Sequence, residues 1–176
     1  YYYNKYDDIQ RALTASVALG SKSVTRNAAN ATIQGIEAEA RFEPTPWLEL
    51  TGYYSYIKAR FKSFVVAPDI SLSGASIGDF TAAKFSGVPS ARGGATIPVH
   101  SELPGDKGRV AATLDYYGQT GTYMQDNNVI ANTSTPIASD YIPGYWLLGA
   151  NITWTNVMGK PFDISADVRN LNKKVY

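Results

Sequence analysis

The sequence contains no cysteine and a single histidine, His100. Without cysteine the chain has no disulfide framework, no thiolate metal site and no cysteine nucleophile. The lone histidine has no partner nucleophile and no metal-ligand cluster beside it in the sequence, so it is interpreted as a surface or rim residue. The sequence therefore predicts no catalytic residue, no metal site and no cofactor, and the chain is not expected to be an enzyme.

Charge imbalance and long apolar runs are also missing. The formal net charge is +1, from 16 Lys and Arg against 15 Asp and Glu. A nucleic-acid-binding protein would concentrate basic residues on one surface, so no nucleic-acid partner is expected. The most apolar short stretch is 145–150, far below the roughly 18 residues of a transmembrane helix. Aromatic residues are abundant instead, with 13 Tyr, 6 Phe and 3 Trp.

Residues 27–64 read as one long β-hairpin whose two faces differ. In the first arm, Glu37, Glu39 and Arg41 alternate with isoleucine and alanine. In the second arm, after a proline-containing turn at 43–46, Glu49 and its polar neighbours alternate with leucine, glycine and tyrosine. Side chains of a strand point alternately to opposite faces, so this pattern predicts one apolar face and one polar face. It fits a half-buried soluble sheet or the wall of a membrane barrel.

The lengths of the connections favour the barrel wall. Seven strands are predicted, at 1–11, 28–43, 47–64, 87–100, 109–123, 145–156 and 162–169. Short turns at 43–46, 103–108 and 157–161 alternate with long loops at 12–26, 65–86 and 125–144. Compact soluble domains have few long structureless loops, whereas transmembrane barrels place short turns on one side and long loops on the other. The predicted fold is all-β: antiparallel up-and-down strands that form part of the wall of a larger transmembrane β-barrel.

Two sets of side chains support this interpretation. Charged residues at inward positions of the alternation suit a hydrated lumen, and the residues predicted to face it are Glu37, Glu39, Arg41, Glu49, Asp115, Asp163, Asp167 and Arg169. Tyrosine and tryptophan favour membrane interfaces, and the residues predicted to lie there, near strand ends, are Trp47, Tyr145, Trp146 and Trp154.

Two stretches resemble a known family. The stretch 27–56, NAANATIQGIEAEARFEPTPWLELTGYYSY, and the stretch 163–176, DISADVRNLNKKVY, are similar to the C-terminal half of TonB-dependent outer-membrane receptors. The resemblance implies a barrel of about 22 strands with a plugged lumen, of which residues 1–176 form a C-terminal portion of the wall. The plug domain and the final strand or strands are expected to lie outside this chain.

The resemblance also implies a function. A receptor of this family is an integral protein of the Gram-negative outer membrane, with the lipid bilayer as its surroundings. It takes up a scarce ligand such as a ferric siderophore, and the TonB complex supplies energy through the plug. The long loops would then contribute to an external vestibule, in which the expected ligand contacts are Tyr123, Asp126, Asn127 and Tyr141.

Two alternatives remain open at the level of sequence. A passive, porin-like outer-membrane channel shares the alternating pattern and lacks the plug. A soluble β-sandwich, for example a carbohydrate-binding module, would require the face of Trp146, Ile152 and Trp154 to pack against a second sheet.

Overall fold

A computed structural model of the chain describes residues 1–17, 20–66 and 77–175. These residues form ten strands and two short 3-10 turns, Ala138–Asp140 and Val157–Gly159. The strands are β1 Tyr2–Val17, β2 Gly20–Thr45, β3 Leu48–Val66, β4 Gly78–Asp79, β5 Ala91–Glu102, β6 Arg109–Gln119, β7 Thr122–Tyr123, β8 Tyr141–Ile142, β9 Tyr145–Thr155 and β10 Ile164–Val168. Within the described part of the chain, no helix has the length and apolar character needed to cross a membrane.

The seven longer strands form one sheet in the order β1-β2-β3-β5-β6-β9-β10. Each strand thus lies beside the next long strand along the chain, and every register given for them is antiparallel. The short β4 pairs with the end of β3, and β7 pairs with β8. The predicted fold, an all-β sheet of about seven up-and-down strands, is confirmed.

The prediction of a long loop at 12–26 is wrong. In the structure β1 continues to Val17 and β2 begins at Gly20, with Ala12 opposite Thr25 and Ser16 opposite Ser21. Residues 18 and 19 lie outside the described part. Small polar and apolar residues follow one another here without a period of two, so the side-chain pattern did not predict a strand. The ladder of backbone hydrogen bonds does not depend on that period.

Other boundaries move by a few residues. β3 reaches Val66 and so includes the first two residues of the loop predicted at 65–86. Residues 67–76 of that predicted loop lie outside the described part. The strand predicted at 87–100 begins only at Ala91 and ends at Glu102. The strand predicted at 109–123 is broken after Gln119, and the loop predicted at 125–144 is largely irregular, as expected.

The chain divides into two compact units. Unit 1 comprises Tyr1–Ile36, Ile57–Ser90 and Gly121–Pro143, and unit 2 comprises Glu37–Tyr56, Ala91–Thr120 and Gly144–Tyr176. Unit 1 has a core of buried hydrophobic side chains, which includes Phe61, Phe64, Phe80 and Phe85. In unit 2, Val157 is the one hydrophobic residue among the described ones that is buried. Unit 2 is therefore a sheet whose apolar side chains remain accessible on one face.

Candidate functional site

One face of unit 2 carries polar and charged side chains. Directly opposite residues on paired strands share a face, and Thr51 lies opposite Thr96, which in turn lies opposite Asp115. The surface around them encloses a trough of about 900 Å³. We call this surface the polar face; the residues that define it are Glu39, Arg41, Thr51, Tyr53, Thr96, Asp115, Tyr117, Asp167 and Arg169.

Short polar contacts link neighbouring strands across this face. The Thr96 hydroxyl donates to Asp115 Oδ1 at 2.8 Å. The Arg41 guanidinium of β2 lies 3.1 Å from Glu49 on β3, and it also lies 2.7 Å from Glu43 on its own strand. These ion pairs are largely exposed, and such pairs each contribute about 0–1 kcal/mol. Their main effect is to match charges of opposite sign across the sheet.

Most of the charged residues predicted to face a lumen share this face. Arg169 Nε donates to Asp167 Oδ1 at 3.1 Å at the end of β10, and Glu37 is exposed on β2. Asp163 differs, because it precedes β10 and its carboxylate accepts a hydrogen bond from the backbone N–H of Asn156 at 2.9 Å. Asp163 therefore closes the turn between β9 and β10. That this face borders a lumen stays a prediction.

The opposite face of unit 2 is apolar. Two rows of directly opposite residues cross it, and they carry no charge. Leu114 is 40% exposed and Ile152 is 50% exposed, so no described part of the chain covers these rows. We call this surface the apolar face; its rows are Ile97, Leu114, Ala150 and Val168, and then Leu48, Val99, Ala112, Ile152 and Ala166.

The aromatic residues predicted for a membrane interface separate between the two faces. Trp146 and Trp154 occupy positions of β9 that alternate onto the apolar face, and Trp47 is exposed in the turn between β2 and β3. Tyr145 lies on the other face, where its ring is 6.1 Å from that of Tyr117. Tyr145 and Trp146 point to opposite faces, because adjacent residues of a strand point in opposite directions. That the four aromatic residues lie at a membrane interface stays a prediction.

The apolar face carries two further aromatic residues, which were not among those predicted for a membrane interface. Tyr116 lies 6.3 Å from Trp146, measured between ring centroids. Tyr54 lies directly opposite Gly93, close to the same end of the strands. The period-two pattern contained this information, since Tyr54 and Tyr116 alternate in step with the leucines of their strands.

In unit 1, three side chains of the segment 126–132 bind backbone groups of the segment 79–86. Asn128 is fully buried, accepts from the Lys84 N–H at 3.0 Å and donates to the Lys84 carbonyl at 2.8 Å. The Asp126 carboxylate accepts from the Ser86 N–H at 2.9 Å. Asn132 Oδ1 accepts from the Asp79 N–H at 3.0 Å. We call Asp126, Asn128 and Asn132 the loop clasp.

The loop clasp changes the interpretation of Asp126. The sequence predicted it as a ligand contact, whereas in the structure its carboxylate holds a backbone amide of the neighbouring segment. Asn127, predicted for the same role, is half-buried. Asn128 and Asn132 were not singled out, because their partners lie 44 and 53 residues away in the chain.

Beneath the loop clasp the two segments pack on a phenylalanine cluster. The rings of Phe61 and Phe85 are stacked with their centroids 4.3 Å apart, and the centroids of Phe64 and Phe80 are 5.7 Å apart. Phe64 and Phe80 are almost completely buried. The segment 80–85 is therefore fixed by apolar packing as well as by hydrogen bonds.

Asp79 is the titratable group of unit 1 whose environment favours the charged form. The hydroxyl of Thr81 and then its backbone N–H bind the carboxylate and lower the pKa of Asp79 below 3.8. The N–H contact measures 2.7 Å. Hydrogen bonds to a carboxylate stabilise its ionised state, so this turn is strongest when Asp79 carries its charge.

The two tyrosines predicted as ligand contacts lie together. Tyr123 in β7 is directly opposite Tyr141 in β8, with ring centroids 5.2 Å apart. The Tyr141 hydroxyl packs over Gly121, where any larger residue would collide with it. Tyr141 is 46% exposed, so the pair presents an aromatic surface to solvent. In the part of the chain that the structure describes, no group of three or more His, Asp or Glu side chains is arranged to hold a metal ion.

Comparison with known proteins agrees with this architecture. No curated protein matches the sequence significantly. Among solved structures, the ferric yersiniabactin uptake receptor FyuA from Yersinia pestis is similar over 98% of this chain, with a TM-score of 0.66 and 17% sequence identity. The chain spans 21% of the length of that receptor.

The family model for the β-barrel of TonB-dependent-receptor-like proteins matches residues 1–171. This match covers nearly the whole chain, and it agrees with the two-faced antiparallel sheet described above. The chain belongs to the TonB-dependent receptor β-barrel family.

Proposed function

We propose that residues 1–176 form a C-terminal portion of the barrel wall and external loops of an outer-membrane receptor. The receptor takes up a scarce ligand, a ferric siderophore, using energy that the TonB complex delivers through a plug domain. The observation that supports this most directly is the family match over residues 1–171 on a sheet with one polar and one apolar face.

The apolar face supports the membrane part of this proposal. Its rows hold isoleucine, leucine, valine and alanine, with Trp146 and Trp154 towards the two ends of β9. Uncharged side chains in the middle of a strand and aromatic residues at its ends are what lipid contact requires. A soluble β-sandwich would need a second sheet over this face, and Leu114 and Ile152 remain accessible.

The second part of the proposal concerns the loops. Unit 1 joins the segments 77–90 and 121–143 into one packed body through the loop clasp and the phenylalanine cluster. We propose that this body forms part of the external vestibule and that Tyr123 and Tyr141 contact the ligand. Residues 12–17 belong to β1 and residues 20–26 belong to β2. These residues therefore extend the sheet and do not contribute a loop to this body.

The siderophore is proposed by analogy with the structural relative, which is described as a ferric yersiniabactin uptake receptor. At 17% identity the likeness concerns the fold. The choice of ligand therefore rests on the family and on an aromatic, hydrogen-bonding surface in unit 1. A passive channel is the competing candidate, because it would share the wall and differ in having no dependence on TonB.

Uptake by the full-length protein tests the proposal. The complete gene would be expressed in a Gram-negative host that lacks its own siderophore receptors, and uptake of iron-55 from ferric siderophores of several chemical classes would be measured. We expect uptake that disappears when tonB is deleted. Uptake that persists without TonB would favour the passive channel. TonB-dependent uptake of a different ligand would support the receptor function and contradict the choice of a siderophore as its ligand.

A further inference from the structure

Unit 1 contains a cavity of about 280 Å³ beside the tyrosine pair. It lies between residues 57–59 of β3, the segment 84–90 and residues 121–123. The apolar residues Phe85 and Val88 line the cavity, and so do Lys58 and Lys84 from two different segments. The cavity thus combines an apolar lining with two cationic groups.

The charge of this lining is of one sign. Among the described residues, no aspartate or glutamate lines the cavity. Within the described residues, neither Lys58 nor Lys84 forms an ion pair. Two ammonium groups that form no ion pair with a described residue attract an anion to a partly enclosed surface whose described lining contains no carboxylate.

A hydroxyl group of the lining also lacks a partner. Thr122 lines the cavity, and its Oγ1 atom is buried without a hydrogen-bond partner in the described structure. A buried polar atom that makes no hydrogen bond is energetically unfavourable, so a ligand that supplies the missing bond gains affinity.

The size of the cavity limits what it can hold. Pockets that enclose a whole drug-sized ligand measure roughly 300–1,000 Å³, and this cavity lies just below that range. It is therefore suited to one group of a larger molecule. Tyr123 lines the cavity and faces Tyr141 across β7 and β8, so the remainder of such a molecule would continue over the tyrosine pair.

We propose that this cavity binds an oxyanion carried on a compact apolar or aromatic body, as one arm of the transported ligand. Lys58 and Lys84 bind the oxyanion, Thr122 donates a hydrogen bond to it, and Phe85 and Val88 contact the apolar body. The inference rests on the proposed function, because it takes unit 1 to be part of the ligand-binding surface, and it specifies the chemistry of that ligand.

The test measures binding of small probes to the full-length receptor in detergent, by saturation-transfer-difference NMR. Benzoate and phenyl phosphate carry the two kinds of oxyanion, benzamide is the neutral counterpart of benzoate, and inorganic phosphate has no apolar body. We expect benzoate or phenyl phosphate to bind, and whichever binds more tightly identifies the oxyanion. Binding of benzamide equal to that of benzoate, or of inorganic phosphate equal to that of phenyl phosphate, would overturn the proposal.

Variants locate the site. Lys58→Gln and Lys84→Gln are each expected to weaken binding of the preferred probe about five- to tenfold, since each removes a charge-assisted hydrogen bond. Lys62→Gln is the matched control, because Lys62 lies on the same strand, is exposed and does not line the cavity. Unchanged affinity in both cavity variants would refute the assignment.

A third variant tests the cavity without changing either lysine, so its result does not depend on whether the lysine variants fold. Val88→Trp is expected to fill the cavity and abolish binding while Lys58 and Lys84 remain. If the probe still binds to this variant at full affinity, the cavity is not the site. Binding is measured without transport, so a receptor that binds the probes through Lys58 and Lys84 but imports no ligand would refute the proposed function and leave this inference standing.

Discussion

The aromatic ring of Tyr53 covers Gly94 on the neighbouring strand. A Cβ atom at position 94 would lie 2.7 Å from Tyr53 Cε1 and 3.0 Å from the Tyr116 carbonyl oxygen. The glycine is needed here for space, because the tyrosine ring occupies the volume that a side chain would fill. Tyr53 is in this way held flat across the polar face, where β3, β5 and β6 are paired.

We therefore expect Gly94→Ala to displace the Tyr53 ring and to destabilise the sheet by about 1–3 kcal/mol, the usual cost of overpacking. Gly149→Ala is the matched control, since its Cβ would make ordinary contacts, 3.4 Å from the Val168 carbonyl oxygen and 3.9 Å from Asp115 Cβ. The measurement is the fraction of full-length protein that assembles in the outer membrane, determined by heat-modifiable electrophoresis. Equal assembly of the two variants would contradict the proposed role of the ring.

The two faces of β6 allow a test of lipid contact on neighbouring residues. Leu114 lies on the apolar face and Thr113 on the opposite one. Leu114→Arg is expected to destabilise the barrel by about 2–4 kcal/mol, because a charge near the middle of a bilayer is costly. Thr113→Arg should have little effect. Urea titration of the full-length protein in lipid vesicles measures both, and a larger effect at position 113 would reverse the assignment of the faces.

Asn128 is expected to be the residue on which the loop clasp depends most. Asn128→Ala removes hydrogen bonds to the Lys84 N–H and to the carbonyls of Lys84 and Gln125. Because Asn128 is fully buried and its hydrogen bonds are partly shielded from water, we expect a local cost of about 1–3 kcal/mol. Hydrogen exchange of the segment 79–90 should accelerate accordingly. Asn127→Ala, one position away on a half-buried residue, should leave exchange in this segment unchanged.

The turn at Asp79 should weaken in acid. The hydrogen bonds from Thr81 hold the folded-state pKa of Asp79 below the ordinary value of an aspartate. Its contribution to stability is therefore fully present above that ordinary value and is lost as the pH falls through the folded-state pKa. The backbone amide of Thr81 should therefore become less protected from hydrogen exchange as the pH is lowered from about 4, after correction for the intrinsic exchange rate. Asp79→Asn should show no such change, and a pH dependence that persists in this variant would assign the effect to another group.

The sequence predicted the wall well because the wall obeys a local rule. In β6 and β9, apolar residues such as Leu114 and Ile152 alternate with polar ones, and both strands were located to within a few residues at their turn-proximal ends. The same rule failed at 12–26, where the residues are small and the two faces do not differ in polarity. The strands pair there through backbone hydrogen bonds, which do not require an alternating pattern of side chains.

The candidate site was harder to predict because it is assembled from distant segments. Asp126 was predicted as a ligand contact, and its hydrogen bond to the Ser86 N–H could not be predicted because it spans 40 positions of the chain. Asn128 likewise binds Lys84, which lies 44 positions away. The face on which Tyr145 lies, by contrast, follows from the alternation alone, since its neighbour Trp146 lies on the apolar face.

The loop clasp has a consequence for how this protein can diverge. Its side chains bind main-chain N–H and carbonyl groups of the segment 79–86, and every amino acid except proline presents both groups. Exposed side chains of that segment, such as Lys84, can therefore be exchanged without loss of the bonds that fix the backbone. Single substitutions in this segment can therefore change which ligand is preferred without changing the backbone structure.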